Sequence, residues 1–91
     1  MQSLYGFAYS SKALEFLGTI EVKLRKQIVN KVTCLAKDPY PNGHKLIRGM
    51  KEHEEKIYRI RSGDYRVLYT VRDNPSHIIV LDIGHRKDIY R

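Results

Sequence analysis

Three segments with strand-like alternation, joined by turn sequences, dominate the second half of the chain. They cover roughly residues 56–61, 64–72 and 77–83, and the residues between them are Ser62-Gly63 and Asp73-Asn74-Pro75-Ser76. Tight turns favour Gly, Asn, Asp, Pro and Ser, and connections this short join neighbouring antiparallel strands. The second half therefore predicts a three-stranded antiparallel meander.

The N-terminal segment predicts one strand followed by a short helix. Residues 4–9 place three aromatic side chains on one side and smaller ones on the other, which is typical of a strand. Ser10 or Ser11 can cap the helix that follows, and Gly18-Thr19 ends it. The apolar positions of this short helix are Ala13, Leu14 and Leu17.

A longer amphipathic helix is predicted after this break. Thr19 can cap it, Glu21 in its first turn suits the positive end of the helix dipole, and Asp38-Pro39 stops it. Cys34 is the only cysteine and falls among apolar residues, so we expect a buried thiol and no internal disulfide. The basic residues of this helix predict a solvated face. Its apolar positions are Ile20, Leu24, Ile28, Val32, Leu35 and Ala36.

These elements together predict an α+β fold. Residues 39–43 form a turn-rich connector, and residues 44–55 carry many charges with little periodicity, so we expect a loop there. A chain of 91 residues is the size of one domain, which we take to cover residues 1–91. The expected architecture is an N-terminal strand, a two-helix hairpin and the meander, forming one twisted sheet with the helices on one face.

The meander has arginines where apolar residues are the ordinary choice. If Ser62-Gly63 closes a two-residue hairpin, Arg59 lies opposite Arg66 and Arg61 lies opposite Asp64, so the three arginines share one face. The opposed like charges favour an anion site, and the alternative is neutralisation by Asp64 and the acids of residues 52–55. The other face is apolar and carries Tyr58, Ile60, Tyr65, Val67, Tyr69 and Val71.

Charge and hydropathy narrow the function classes. The formal net charge is +7, with 17 Lys and Arg against 10 Asp and Glu, which suits RNA or an acidic protein as partner. No apolar run approaches the ~20 residues that span a bilayer, and the N-terminus lacks the pattern of a secretion signal. We expect a soluble, cytoplasmic protein without a membrane partner. His44, His53 and His77 lack metal-ligand spacing, so we expect no metal and no other cofactor.

Four motifs give the chain a family resemblance. They are HKLIRGM at residues 44–50, GDYRVLY at 63–69, IIVLDIGHR at 78–86 and DIY at 88–90. In this order and spacing they resemble the RelE/ParE superfamily of small bacterial and archaeal toxins. The match is better to the RNA-cleaving RelE branch than to the gyrase-directed ParE branch. The resemblance implies a ribosome-dependent endoribonuclease that cleaves mRNA without a metal and inhibits translation.

The resemblance also implies roles for individual residues. Metal-free cleavage needs a base for the 2′-hydroxyl, an acid for the leaving 5′-oxygen and cations for the phosphorane. Tyr90 matches a tyrosine used in proton transfer or stacking, although it could instead pack the tail onto the sheet. His85 could act as acid or base, or hydrogen-bond a loop carbonyl. The candidate catalytic residues are Arg66, Arg86, Tyr90, His85 and Arg59, and the candidate RNA-binding residues are Lys45, Arg48, Arg61, Lys56 and Lys87.

The chain departs from the RelE pattern in one respect. Where that pattern has two lysines in the first strand after the helices, this chain has Ile57 and Arg59. The general base is therefore left open among His85, Lys56 and Arg61.

Three functions remain as hypotheses. The first is the mRNA endoribonuclease acting in the ribosomal A site, the second is a ParE-like inhibitor of DNA gyrase, and the third is a catalytically weak module that binds RNA or an antitoxin. Under all three, the resemblance implies a cognate RelB-like antitoxin and a toxin–antitoxin hetero-oligomer.

Overall fold

The computed structural model describes residues 5–47 and 55–89 of the chain. Within these ranges the elements, in order, are β1 (Gly6–Tyr9), α1 (Ser11–Thr19), α2 (Val22–Leu35), β2 (Lys45–Ile47), β3 (Ile57–Ser62), β4 (Tyr65–Arg72) and β5 (His77–His85). The strands form one mixed sheet in the order β1-β5-β4-β3-β2. Only β1 and β5 pair in parallel, and the other neighbours are antiparallel.

Both helices pack on one face of this sheet. Ala13 and Leu17 of α1, together with the buried stripe of α2, meet the side chains of the three central strands. Burial of these side chains removes apolar surface from water, which is the main force that holds the layers together. The core consists of Ala13, Leu17, Ile28, Val32, Leu35, Ile60, Val67, Tyr69, Ile78, Val80 and Ile83. The predicted α+β fold, with its helices on one face, is confirmed.

The two helices begin and end close to the predicted positions, but the second is capped differently. Ser10 is the N-cap of α1, and its hydroxyl accepts the N–H of Ala13 at 3.1 Å. The prediction that Thr19 caps α2 is wrong, because its hydroxyl donates to the carbonyl of Phe16. The N-cap is Glu21, whose side chain makes no capping bond within the described residues.

Cys34 lies on the exposed side of α2, so the prediction of a buried thiol is wrong. Val32 and Leu35 face the core, and Cys34 lies between them in sequence but on the solvent side of the helix. A step of two residues turns a helix by more than a half-circle, so Cys34 points away from the side on which Val32 is buried. Cys34 is an exposed free thiol. Leu14 of α1, predicted among the apolar positions, is also exposed.

Residues 44–55 are not entirely a loop. Lys45–Ile47 forms β2, which extends the sheet beyond β3 by pairing Lys45 with Arg59 and Ile47 with Ile57. A strand of three residues has too little sequence to show alternation, and its conformation comes from the hydrogen bonds of its neighbour. The sheet thus has one strand more than predicted.

The β3–β4 register differs from the prediction by two residues. The two-residue turn consists of Gly63 and Asp64, so Arg61 pairs with Arg66, and Arg59 pairs with Leu68. Gly63 has φ +60°, which suits the first central position of a hairpin turn. Because side chains alternate with a period of two, this shift keeps every residue on its predicted face. The pairs are changed, but the shared face of the three arginines is retained.

Candidate functional site

The sheet face that points away from the helices carries basic side chains in two opposed pairs. Lys45 lies directly opposite Arg59, and Arg61 lies directly opposite Arg66. Directly opposed residues project to the same face with Cβ atoms about 5 Å apart, where like charges repel. We call Lys45, Arg59, Arg61 and Arg66 the basic face. An anion held between the paired charges would relieve their repulsion.

Arg66 is a buried member of the basic face, with 9% of its surface exposed. Its Nη1 donates hydrogen bonds to the carbonyl oxygens of Gly63 and Tyr65, at 3.0 and 3.1 Å. These bonds direct the guanidinium toward the β3–β4 turn. Nε and Nη2 take no part in them, and such a pair of donors can hold two oxygens of a phosphate.

Arg86 lies beside the same turn, directly after β5. Its backbone N–H donates to the carbonyl oxygen of Asp64 at 2.8 Å, and its Nε is 3.7 Å from Oδ1 of Asp64. Both side chains are exposed, so the ion pair itself stabilises little. The backbone bond fixes the position of Arg86. Arg66 and Arg86, which are far apart in sequence, are therefore both anchored on residues 63–65.

Residues 85–89, here called the C-terminal turn, fold onto the basic side of the sheet. The N–H groups of Asp88 and Ile89 donate to the carbonyl oxygen of His85 at 2.8 and 3.0 Å. A Cβ added at Gly84 would lie 3.0 Å from Cδ1 of Ile89, so Ile89 rests on this glycine. Gly84 pairs with Arg66, and Ile89 therefore covers the sheet next to Arg66.

The structure does not bring the His85 ring to the basic face. His85 pairs with Tyr65, and the two rings make an edge-to-face contact with centroids 5.9 Å apart. Tyr65 in turn contacts Phe16 of α1 at 5.8 Å, which puts this group on the helix side. Nδ1 of His85 lies 3.2 Å from the backbone nitrogen of Lys87.

The remaining predicted residues lie in different places. Tyr90 and Arg48 are outside the described residues. Lys56 is exposed just before β3, where its carbonyl accepts the hydroxyl of Thr70 at 2.8 Å, and Lys87 is exposed in the C-terminal turn. Sequence reasoning missed Asp64 as the anchor of Arg86. The signal was its place in the turn opposite the end of the last strand.

The alternative that acids neutralise the arginines applies only in part. Asp64 accompanies Arg86, as described above. Glu55 forms a two-point interaction with Arg72, at 2.7 and 3.3 Å, and hydrogen bonding to Glu55 raises the pKa of Arg72. Arg72 lies at the other end of β4, away from the Arg61–Arg66 pair. Asp64 and Glu55 thus accompany Arg86 and Arg72, and the other two acids of residues 52–55, Glu52 and Glu54, lie outside the described residues.

The other histidines serve local structure. His44 lies within an aromatic cluster with Tyr40, Tyr58 and Tyr69, and its Nδ1 is 2.7 Å from the carbonyl oxygen of Pro41. His77 has Nδ1 at 2.6 Å from the carbonyl oxygen of Pro75. In residues 5–47 and 55–89, no group of three or more His, Cys, Asp or Glu side chains is arranged to hold a metal ion.

Tyr69 is the fully buried member of the aromatic cluster. Its hydroxyl donates to the carbonyl oxygen of Pro39 at 2.6 Å, which ties the connector after α2 to the sheet. Burial raises the pKa of Tyr69 far above its usual value of 10.0, and burial likewise raises the pKa of Tyr40. Neither helix of the described ranges has the length and apolar character needed to cross a membrane.

The amino-acid sequence of the chain is similar to those of known toxins. The family model described as ParE toxin of type II toxin-antitoxin system, parDE, matches residues 7–90. Toxin RelG of Mycobacterium tuberculosis is 33% identical over 57 residues, which are 63% of this chain and 61% of that toxin, so the chain spans under two thirds of this relative.

Solved structures show the same fold. The archaeal RelE-RelB complex from Pyrococcus horikoshii gives a TM-score of 0.78 at 22% identity, covering 93% of this chain and 98% of the matched chain. The isolated E. coli RelE toxin gives a TM-score of 0.71 at 26% identity, covering 94% of this chain and 90% of that one.

Proposed function

The chain belongs to the ParE toxin family of type II toxin-antitoxin systems, within the RelE/ParE superfamily, and from this membership we propose that it is an endoribonuclease that cleaves mRNA on the ribosome. The observation that carries the proposal is the direct pairing of Arg61 with Arg66 on one face of the sheet. Opposed like charges destabilise a sheet, whereas a phosphate bound between them would be stabilised by both.

The proposed reaction is attack of a 2′-hydroxyl on the adjacent phosphate. The 2′-hydroxyl gives its proton to a general base as its oxygen forms a bond to phosphorus. The bond to the 5′-oxygen breaks and this oxygen takes a proton from a general acid, so the products are a 2′,3′-cyclic phosphate and a 5′-hydroxyl. Arg66 and Arg86 neutralise the charge that develops on the phosphorane, with Arg61 beside them. Tyr90 is proposed to transfer a proton or to stack on the substrate.

The wider RNA contacts follow from the rest of the basic surface. Lys45 and Arg59 extend the basic face across β2 and β3, and Arg48, Lys56 and Lys87 are the further residues proposed to hold the RNA backbone. A domain of this size has little surface with which to fix an RNA in line for attack. The ribosomal A site would supply that orientation, which accounts for much of the rate in such reactions.

An antitoxin is the proposed protein partner. Several of the similar solved structures are complexes of a RelE toxin with a RelB antitoxin. We propose a RelB-like partner whose amphipathic segment covers the basic and apolar surface of this chain in a hetero-oligomer. A cytoplasmic location follows from the proposed substrate.

A second candidate function has one observation in its favour. The family model that matches residues 7–90 is described by the ParE toxin and not by RelE. Under this alternative the chain would inhibit DNA gyrase without a nuclease step. Arg66 and Arg86 would then have no role in toxicity beyond their charge.

The test is cleavage on a translating ribosome. The native protein, an Arg66→Ala/Arg86→Ala variant and a Lys23→Ala/Lys26→Ala control are each added to ribosomes that translate a defined mRNA, and new RNA 5′ ends are mapped by primer extension. The control removes the same charge from α2. New ends at A-site codons with the native protein and the control alone support the proposal. Absence of cleavage by all three, together with gyrase inhibition, would favour the second candidate.

A further inference from the structure

We infer that His85 is a positioning residue, whose ring orders the C-terminal turn and thereby holds Arg86 at the β3–β4 turn, and that it does not transfer a proton itself. The inference rests on the proposed function, because the C-terminal turn carries Arg86, which is proposed to contact the phosphate. From the sequence alone, this histidine could act as an acid or base, or hydrogen-bond a loop carbonyl. The hydrogen bonds of its ring and backbone indicate a different role.

The ring nitrogen that faces the turn has only one possible role. Nδ1 of His85 lies 3.2 Å from the backbone nitrogen of Lys87, which can only donate. Nδ1 must therefore accept, and the ring proton lies on Nε2. A histidine that acts as an acid carries protons on both nitrogens, and one that accepts a proton at Nε2 carries its own on Nδ1. Either catalytic form would break the bond to Lys87.

The ring is also on the wrong side of the sheet for the phosphate. It stands edge-on to Tyr65 and borders a groove of about 220 Å³ between α1, β5 and the C-terminal turn. The titratable and charged side chains that line this groove with it are Lys12, Asp82 and Asp88, and Lys12 is paired with Asp82 at 3.2 Å. Tyr65 is the titratable group on the strand beside it. Arg66 projects from the opposite face.

The bonds of His85 converge on the segment that follows it. The ring accepts the N–H of Lys87, and the backbone carbonyl accepts the N–H groups of Asp88 and Ile89. Ile89 then packs on Gly84 beside Arg66. With the N–H of Arg86 bonded to the turn of β3 and β4, the segment is held at both ends. Loss of the ring bond would loosen it without touching the sheet.

Two substitutions separate positioning from proton transfer. In His85→Asn, the amide oxygen stands about where Nδ1 stands and can accept the Lys87 N–H, but the side chain does not titrate. In His85→Gln, the amide group is one bond further from the backbone, near the place of Nε2, and it does not supply an acceptor at the place of Nδ1. The free proteins are compared by amide hydrogen exchange of residues 87–89, after thermal unfolding has shown that each is folded. Cleavage is then measured by primer extension on ribosomes.

We expect His85→Asn to keep native exchange and to cleave within about threefold of the native rate. In His85→Gln, exchange at Lys87 should rise about fivefold, as loss of one such hydrogen bond implies, and cleavage should fall. A fall of about a hundredfold or more in His85→Asn with unchanged exchange would show general acid–base catalysis and overturn the inference. Native exchange in His85→Gln would overturn it too. If the native protein does not cleave mRNA, the proposed function fails, and the exchange data still decide whether the ring orders the turn.

Discussion

Arg61 lies directly opposite Arg66 in the β3–β4 ladder, so two guanidinium groups project from neighbouring positions on one face of the sheet. The fold would be better served by a neutral residue at one of them. Arg66 is buried and tied to the main chain of the turn, whereas Arg61 is exposed. The cost of the pair can therefore be tested at Arg61 with little effect on packing.

Replacement of Arg61 by Gln should stabilise the protein while weakening its hold on RNA. Relief of the opposed charges should raise the free energy of unfolding by about 0.5 kcal/mol at low salt, and the gain should vanish near 1 M salt, where screening is strong. Denaturant unfolding and RNA binding are the measurements. Arg72→Gln is the matched control, because it removes an arginine that has an acidic partner in Glu55 and should not stabilise. A loss of stability in Arg61→Gln at low salt would contradict the repulsion.

A methyl group at Gly84 should displace the C-terminal turn. Its Cβ would lie 3.0 Å from Cδ1 of Ile89, closer than ordinary van der Waals contact, so Gly84→Ala should move Ile89 and speed amide exchange in residues 87–89. We expect cleavage to fall while the thermal midpoint changes by a few degrees at most. The double variant Gly84→Ala/Ile89→Ala removes the clash. If amide exchange in residues 87–89 is as fast in the double variant as in Gly84→Ala, contact with Ile89 does not cause the displacement of the turn.

Tyr69 should make the fold sensitive to alkali. Burial raises its pKa in the folded protein, so the unfolded chain loses this proton first, near pH 10. Stability from this group is then complete below pH 10 and falls as pH rises toward the raised pKa, by up to about 1.4 kcal/mol per pH unit. Tyr69→Phe should show a shallower decline between pH 10 and 11 in denaturant unfolding. If the unfolding free energies of the two proteins fall in parallel over this pH range, ionisation of Tyr69 is not the cause of the decline.

The two sides of the helix layer should respond differently to truncation. Ile28 is fully buried under the sheet, and Ile28→Ala should cost about 2–5 kcal/mol in the free energy of unfolding. Leu14, with 55% of its surface exposed, should cost less than about 1 kcal/mol in the same substitution. Urea unfolding checks both. Equal losses of unfolding free energy in the two variants would contradict the exposed position of Leu14.

Much of the fold could be read from the sequence because the relevant signals are local. The spacing of Ile28, Val32 and Leu35 marks the buried side of α2. Ser10 is directly followed by α1, which it caps. The faces of Arg59 and Arg61 were also predicted correctly despite the wrong register. A shift of two residues changes partners and preserves faces, so the alternation was informative even where the turn was misplaced by one position.

The remainder depends on partners that are distant in sequence. Lys45–Ile47 becomes a strand through its pairing with β3, and no pattern within three residues predicts that. Cys34 lies among apolar residues, yet its direction depends on which side of α2 meets the sheet. For His85, the decisive facts are the side of β5 on which its ring lies and the backbone nitrogen that it faces, and both require the folded chain.

The parallel pairing of β1 with β5 has a consequence for synthesis of the protein. The N–H and hydroxyl groups of Ser10, which follow β1, bond to the carbonyl oxygens of Val80 and Leu81, and the hydroxyl contact spans 71 residues of sequence. During translation β1 has no neighbour in the sheet until β5 has emerged, so completion of the sheet is a late event. Chains released early lack both that strand and Arg86. Only a chain that has been translated past β5 therefore has the complete sheet and the basic site together.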